Sequence, residues 1–248
     1  MKRLLATATA LALAAAPAWA QTPPPSKGET TANVATGPRL ILVGDSTMAP
    51  RSGYGNALCA RVQQVACINL ARGGRSSMSF RAEGLWQTVM ALLTEGSSKQ
   101  KTLVLIQFGH NDQPGKPGRS TDLATEFGPN MAGYVKDVKA AGADVVLITP
   151  LTRRTFKDGA LPNDLRPWAE AILKVGAEQG VPVFDLNAVS HAAVAAMGQA
   201  EADTLAEAPP RFDRTHLGPK GAALFSAQVL DGLLPLRPEL AAARTLTP

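Results

Sequence analysis

The feature that most constrains this chain is an alternation. Short apolar runs occur at residues 39–43, 67–70, 102–108, 144–149 and 182–186. Between them lie stretches with helical spacing at 56–65, 80–93, 121–140 and 162–179, and two more, 187–197 and 219–233, follow the last run. Apolar residues three and four apart mark one face of a helix, as Leu85, Val89 and Leu92 do. Gly180 marks a helix stop. A strand–helix unit repeated about five times builds a parallel sheet with helices on both faces and right-handed crossovers. The run 102–108 is apolar enough for burial on both sides, as an interior parallel strand requires. With 45% hydrophobic and 18% charged residues, the composition excludes a disordered, solvating chain.

In open sheets of this kind, ligands bind outside the carboxyl ends of the strands. Three polar clusters follow strands directly: Gly44-Asp45-Ser46, the segment 71–77, and Gly109-His110-Asn111-Asp112. They are expected to converge on one edge. Gly44 permits a sharp turn there. Ser46 then sits at a strand-to-helix junction, as a nucleophile or as the N-cap of the next helix. The Gly-x-Ser-x-Gly elbow of α/β-hydrolases is absent.

The chain holds three histidines, and histidine is the usual general base near neutral pH. His191 lies in an Ala-rich helix without an evident partner, so a structural or solvent-facing role is expected. His216 lies in Asp213-Arg214-Thr215-His216. A spacing of three in a tight turn brings a carboxylate to the imidazole, where it fixes the tautomer. Acyl transfer also needs donors for a developing oxyanion. Gly73-Gly74 offers backbone N–H groups and Asn111 offers a side-chain amide, although both are also common turn formers.

Taken together these residues resemble the SGNH, or GDSL, hydrolase family. The blocks are Gly44-Asp45-Ser46, Gly74, Gly109-His110-Asn111-Asp112, and Asp213-Arg214-Thr215-His216. The resemblance implies Ser46 as nucleophile, His216 as general base and Asp213 as its orienting carboxylate. It implies an oxyanion hole from the Ser46 and Gly74 N–H groups and the Asn111 amide, with Gly73 as the neighbouring candidate. It implies a flavodoxin-like three-layer α/β/α sandwich with a five-stranded parallel sheet, as the alternation already suggests. No cofactor and no metal are expected. A metal site on His110 and Asp112 lacks a clear third ligand.

Finer details are similar to one branch, the rhamnogalacturonan acetylesterases. They are Asp45-Ser46-Thr47-Met48, Gly73-Gly74-Arg75-Ser76, Gln107 to Asp112, Thr149-Pro150-Leu151-Thr152-Arg153-Arg154, and His216-Leu217-Gly218-Pro219-Lys220-Gly221. That likeness implies removal of O-acetyl groups from a pectic polysaccharide. An acetylxylan esterase, a lysophospholipase-like esterase and a non-catalytic carbohydrate-binding protein are the alternatives. Galacturonate carries a carboxylate, which arginine pairs in bidentate fashion. Arg75, Arg153 and Arg154, with His110, are therefore carried as substrate contacts; ordinary structural charges are the other reading. The Gly- and Pro-rich loop 113–120 is expected to wall the cleft.

Residues 1–20 carry Lys2 and Arg3, an apolar run at 4–16 and Ala18-Trp19-Ala20, the pattern of a cleaved secretory signal. Residues 21–38 read as a flexible leader and 39–248 as one domain. Export to the periplasm or beyond is expected, without a stable membrane anchor. The net charge of +5 shows no Lys/Arg cluster of the kind that binds nucleic acid. Cys59 and Cys67 are compatible with a local disulfide and equally with two free thiols.

Overall fold

The computed structural model describes residues 38–95 and 100–243. The expected signal segment, and all but the last residue of the expected leader, lie outside them. Five strands are described: β1 (Arg39–Gly44), β2 (Ala66–Asn69), β3 (Thr102–Gln107), β4 (Asp144–Ile148) and β5 (Val183–Phe184). They form one parallel sheet in the order β2-β1-β3-β4-β5. This is the flavodoxin-like order, with its topological switch point between β1 and β3.

Side chains alternate across each strand, and both faces are covered. Leu40, Leu42, Leu103, Leu105, Val146 and Ile148 pack with α1 (Gly55–Ala60), α6 (Leu186–Asp203) and α7 (Pro219–Leu233). Ile41, Val43, Val104, Ile106, Val145 and Leu147 pack with α3 (Leu85–Glu95), α4 (Gly128–Ala140) and α5 (Arg166–Gln179). Burial on both faces is why β1 and β3 read as unbroken apolar runs rather than as alternating ones. The result is the expected three-layer sandwich.

Several boundaries differ from the sequence expectation, each for a local reason. The helix expected over 80–93 is two: α2 (Ser79–Ala82) and α3, separated at Gly84, whose φ is +79°. The helix over 56–65 stops at Ala60, and Gln64 adopts φ +58° on the way into β2. The stretch 121–140 opens with a π turn at Leu123–Phe127, capped by Asp122, before α4. Pro129 lacks the N–H that would carry one regular helix through this point. α5 starts at Arg166 rather than 162, and ends at Gly180 in the left-handed conformation as expected. α6 runs on to Asp203 across a non-helical Gly198. A 3-10 turn at Pro238–Ala243 was not foreseen.

Cys59 at the end of α1 and Cys67 on β2 are joined in a disulfide, which settles the two readings above. Among the described residues, no helix is long and apolar enough to cross a membrane.

Candidate active site

The Ser46 loop is set by what surrounds it. Gly44 ends β1 with no room for a side chain, because a Cβ there would lie 2.7 Å from the Gln107 carbonyl oxygen. Asp45 is fully buried. Its Oδ1 accepts from the Thr47 N–H and the Thr47 hydroxyl, each at 2.8 Å. Gln107 at the end of β3 donates to Thr47 Oγ1 and accepts from the Tyr54 hydroxyl. These bonds leave the chain in a tight turn after β1, and no helix follows until Gly55. Ser46 is therefore not the N-cap of a helix. Its Oγ lies 2.8 Å from His216 Nε2.

The partner loop is equally ordered. His216 Nδ1 lies 2.8 Å from Asp213 Oδ2, while Asp213 Oδ1 accepts from the Thr215 and His216 N–H groups at 2.7 Å each. A carboxylate only accepts, so the shared proton sits on Nδ1 and Nε2 is left to accept from Ser46. Burial pushes the Asp213 carboxyl up, but the bonds from His216 and Thr215 outweigh it and hold it below the ordinary range.

Three donors face the same edge. Among the described residues, neither the Ser46 nor the Gly74 backbone N–H has an acceptor within the chain. Asn111 Nδ2 donates one hydrogen to the Arg75 carbonyl at 3.0 Å, which leaves its second hydrogen unused. Gly74 adopts φ +79°, a conformation that favours glycine. Gly73 is the closer neighbour of Ser46: a Cβ on it would stand 3.7 Å from Ser46 Cβ. Ser46 and Asn111 follow β1 and β3, the two strands at the switch point.

Of the four substrate contacts expected from sequence, Arg154 and His110 are corrected, because both are buried, while Arg75 and Arg153 are partly exposed and each is paired within the chain. Arg154 is wholly buried. It donates to the carbonyls of Asp213, Thr215 and His216, and so holds the histidine loop from beneath. Burial lowers its guanidinium to about 10, against the raising effect of Asp213 and Asp203. Arg75 pairs with Glu83 and with the Gly73 carbonyl, and Arg153 pairs with Asp164. His110 is buried with Nδ1 3.3 Å from Asp45 Oδ2, inside ion-pair distance but outside hydrogen-bond geometry. Burial pushes Asp45 up, and the facing His110 with the Thr47 bonds brings it below its usual value. Arg154 and His110 thus support the site from within. His191 is structural, with Nε2 2.9 Å from the Leu161 carbonyl.

The supporting roles of two residues escaped the sequence reading, which weighed Asp112 only as part of its block and as a metal ligand. Asp112 is buried and accepts from the Ser77 N–H and hydroxyl, the Gly109 N–H and the Thr121 hydroxyl, so it pins the second and third loops together. Burial lifts its carboxyl to about 6; Ser77 opposes this, Asp45 adds to it and Thr121 opposes it. Arg119, in the expected wall loop, reaches the Gly74 carbonyl at 3.4 Å and Asn111 Oδ1 at 3.5 Å. Among the described residues, no three His, Cys, Asp or Glu side chains are grouped to hold a metal ion.

A serine hydroxyl, an imidazole and a carboxylate joined by two 2.8 Å contacts, with unengaged donors on the neighbouring strand ends, are the groups that acyl transfer requires. The chain belongs to the GDSL-like lipase/acylhydrolase family, which matches residues 42–224, and it is a carboxylic ester hydrolase. It is 31% identical over 225 residues to the rhamnogalacturonan acetylesterase RhgT of Bacillus subtilis, covering 82% of this chain and 94% of that one. The solved structure of B. subtilis YxiM is similar with TM-score 0.69 and 25% identity, covering 81% of this chain but 57% of that one. An acetylxylan esterase from Geobacillus stearothermophilus shares the fold, with TM-score 0.60 and 17% identity over 82% of this chain and 95% of that one.

Proposed function

We propose that the chain is an exported acetylesterase that removes O-acetyl groups from a pectic polysaccharide of the rhamnogalacturonan type. The observation that carries the chemistry is the continuous line from Ser46 Oγ through His216 to Asp213, with 2.8 Å at each step. Ser46 attacks the acetyl carbonyl while His216 Nε2 takes its proton. The Ser46 and Gly74 N–H groups and the free Asn111 amide hydrogen receive the charge that develops on the carbonyl oxygen. His216 then protonates the departing sugar hydroxyl, leaving an acetyl group on Ser46. Water, deprotonated by His216, attacks that ester and releases acetate. Asp213 keeps Nδ1 protonated throughout and stabilises the imidazolium.

The pectic substrate is supported by the likeness to RhgT, which extends over most of both chains. Export is supported by the signal-like pattern at 1–20 and by the Cys59–Cys67 disulfide, a bond typical of oxidising compartments. A broader acetylesterase that prefers acetylated xylan is the rival reading, favoured by the fold shared with the acetylxylan esterase.

The decisive experiment is acetate release from acetylated rhamnogalacturonan and acetylated xylan by wild type and Ser46→Ala. Wild type is expected to prefer the first substrate, and the variant to lose about 10^3-fold or more in kcat on both. Undiminished hydrolysis by Ser46→Ala would sink the mechanism; a preference for xylan would sink the substrate.

A further inference from the structure

Beside Ser46, on its β2 flank, lies a cleft of about 500 Å³, within the range of small-ligand sites. Residues 49–52 of the serine loop form one wall, residues 69–73 another, and Leu85 and Thr88 of α3 close the end. Ser46 does not line the cleft, but two of its wall residues neighbour the serine. Ser52, in its wall, donates to the Ser46 carbonyl at 2.8 Å, and Gly73, in the opposite wall, stands against Ser46 Cβ.

The charge in this cleft is one-sided. Arg51 and Arg72 line it and no acidic residue does. Both are exposed, and neither side chain has a hydrogen bond or ion pair among the described residues. Every other arginine in those residues is engaged by a carboxylate, a hydroxyl or a carbonyl. The two unengaged guanidiniums thus share one cavity, two of whose wall residues neighbour Ser46. Leu70, Ala71 and Leu85 give it apolar surface, suited to the C–H face of a sugar ring.

We propose that this cleft is a subsite for a uronate unit of the substrate chain, its carboxylate held by Arg51 and Arg72. The proposal deepens, and rests on, the reading of the site as a polysaccharide esterase. A guanidinium in a solvent-facing cleft keeps a fork of donors ready for a planar carboxylate. A neutral acetylated sugar gains nothing from that fork, so the pair selects acidic chains.

The test is calorimetric binding of unacetylated oligogalacturonate to the full-length Ser46→Ala protein, which needs no turnover. Binding is expected, and Arg51→Gln/Arg72→Gln added to this protein is expected to raise Kd about tenfold or more. Arg51→Lys/Arg72→Lys should retain part of the affinity. The methyl-esterified oligogalacturonate, which lacks the charge, should bind no better to the Ser46→Ala parent than to its Gln form. Absence of binding, equal Kd for the acid and its methyl ester, or a Gln form with unaltered Kd would each overturn the subsite. If the subsite passes while wild type releases no acetate from rhamnogalacturonan, the carboxylate site stands and the proposed substrate falls.

Discussion

On the serine side of the site, Asp45, Gln107, His110 and Asp112 are all buried and tie the ends of β1 and β3 to the loops around them. On the histidine side, Asp213 and His216 keep 45% and 39% of their side-chain surface exposed, and one buried arginine holds the loop from below. The first half is fold and site at once. The second is a short turn whose geometry comes from local bonds, the Arg154 clasp and the Arg214–Asp203 pair to α6. Substitutions on the serine side should therefore cost stability and activity together, whereas those on the histidine side should cost activity alone.

The largest expected effect breaks the comparison if it fails. Asp213→Asn should lower kcat about 10^4-fold, because an amide no longer enforces the Nδ1–H tautomer. Its Tm, by thermal melting, should stay within about 2 °C of wild type. Asp112→Ala should lower Tm as well as kcat. It orphans the Ser77, Gly109 and Thr121 donors and should cost about 3–5 kcal/mol, a fall of roughly 10 °C in Tm. A comparable loss of Tm in both variants would erase the distinction.

The two carboxylates should also respond to pH in opposite senses. Folding lifts Asp112 from 3.8 to about 6, so the native state binds this proton more tightly. Its contribution is full below about pH 4 and declines as pH rises through 6, by about 3 kcal/mol in all. Asp213 is held low in the native state, so its contribution is present above the unfolded value and lost as pH falls through the folded one. Denaturant melts of Asp112→Asn between pH 4 and 7 should lack the decline that wild type shows.

Arg154→Met should reduce kcat about 10- to 100-fold, since the carbonyls of Asp213, Thr215 and His216 lose their common donor and the imidazole loosens. Arg154→Lys should recover only part, because an ammonium lacks the planar fork. The smallest effect belongs to Arg119→Gln, about 3- to 10-fold in kcat, through slack in Gly74 and Asn111. Steady-state kinetics on one soluble acetyl ester would rank the two.

The sequence made much of this legible because the chemistry follows strand ends. Ser46, Gly74 and Asn111 each close a strand-loop unit, and the structure brings them to one edge. Asp213 and His216 were readable because their bonds span three residues. The arginines were not. Residue type points to a carboxylate partner, but Arg154 faces carbonyls about sixty residues away and Arg75 faces Glu83 on the next turn of chain. Only packing decides between such partners. The split at Gly84 was visible as a glycine inside an apolar period, and the period alone carried the expectation past it.

Arg154 carries one more implication. It lies in the loop after β4, and its guanidinium fastens both ends of the 213–216 turn, at the Asp213 and His216 carbonyls. Between the clasp and the turn lie α5, β5 and α6, and α6 adds a second hold: its Asp203 pairs with Arg214 inside the turn and its Gln199 donates to the Arg154 carbonyl. The imidazole is thus seated by segments far apart in the chain. Loops grafted from a relative between β4 and α6 leave His216 aligned on Ser46 only where α6 keeps its place.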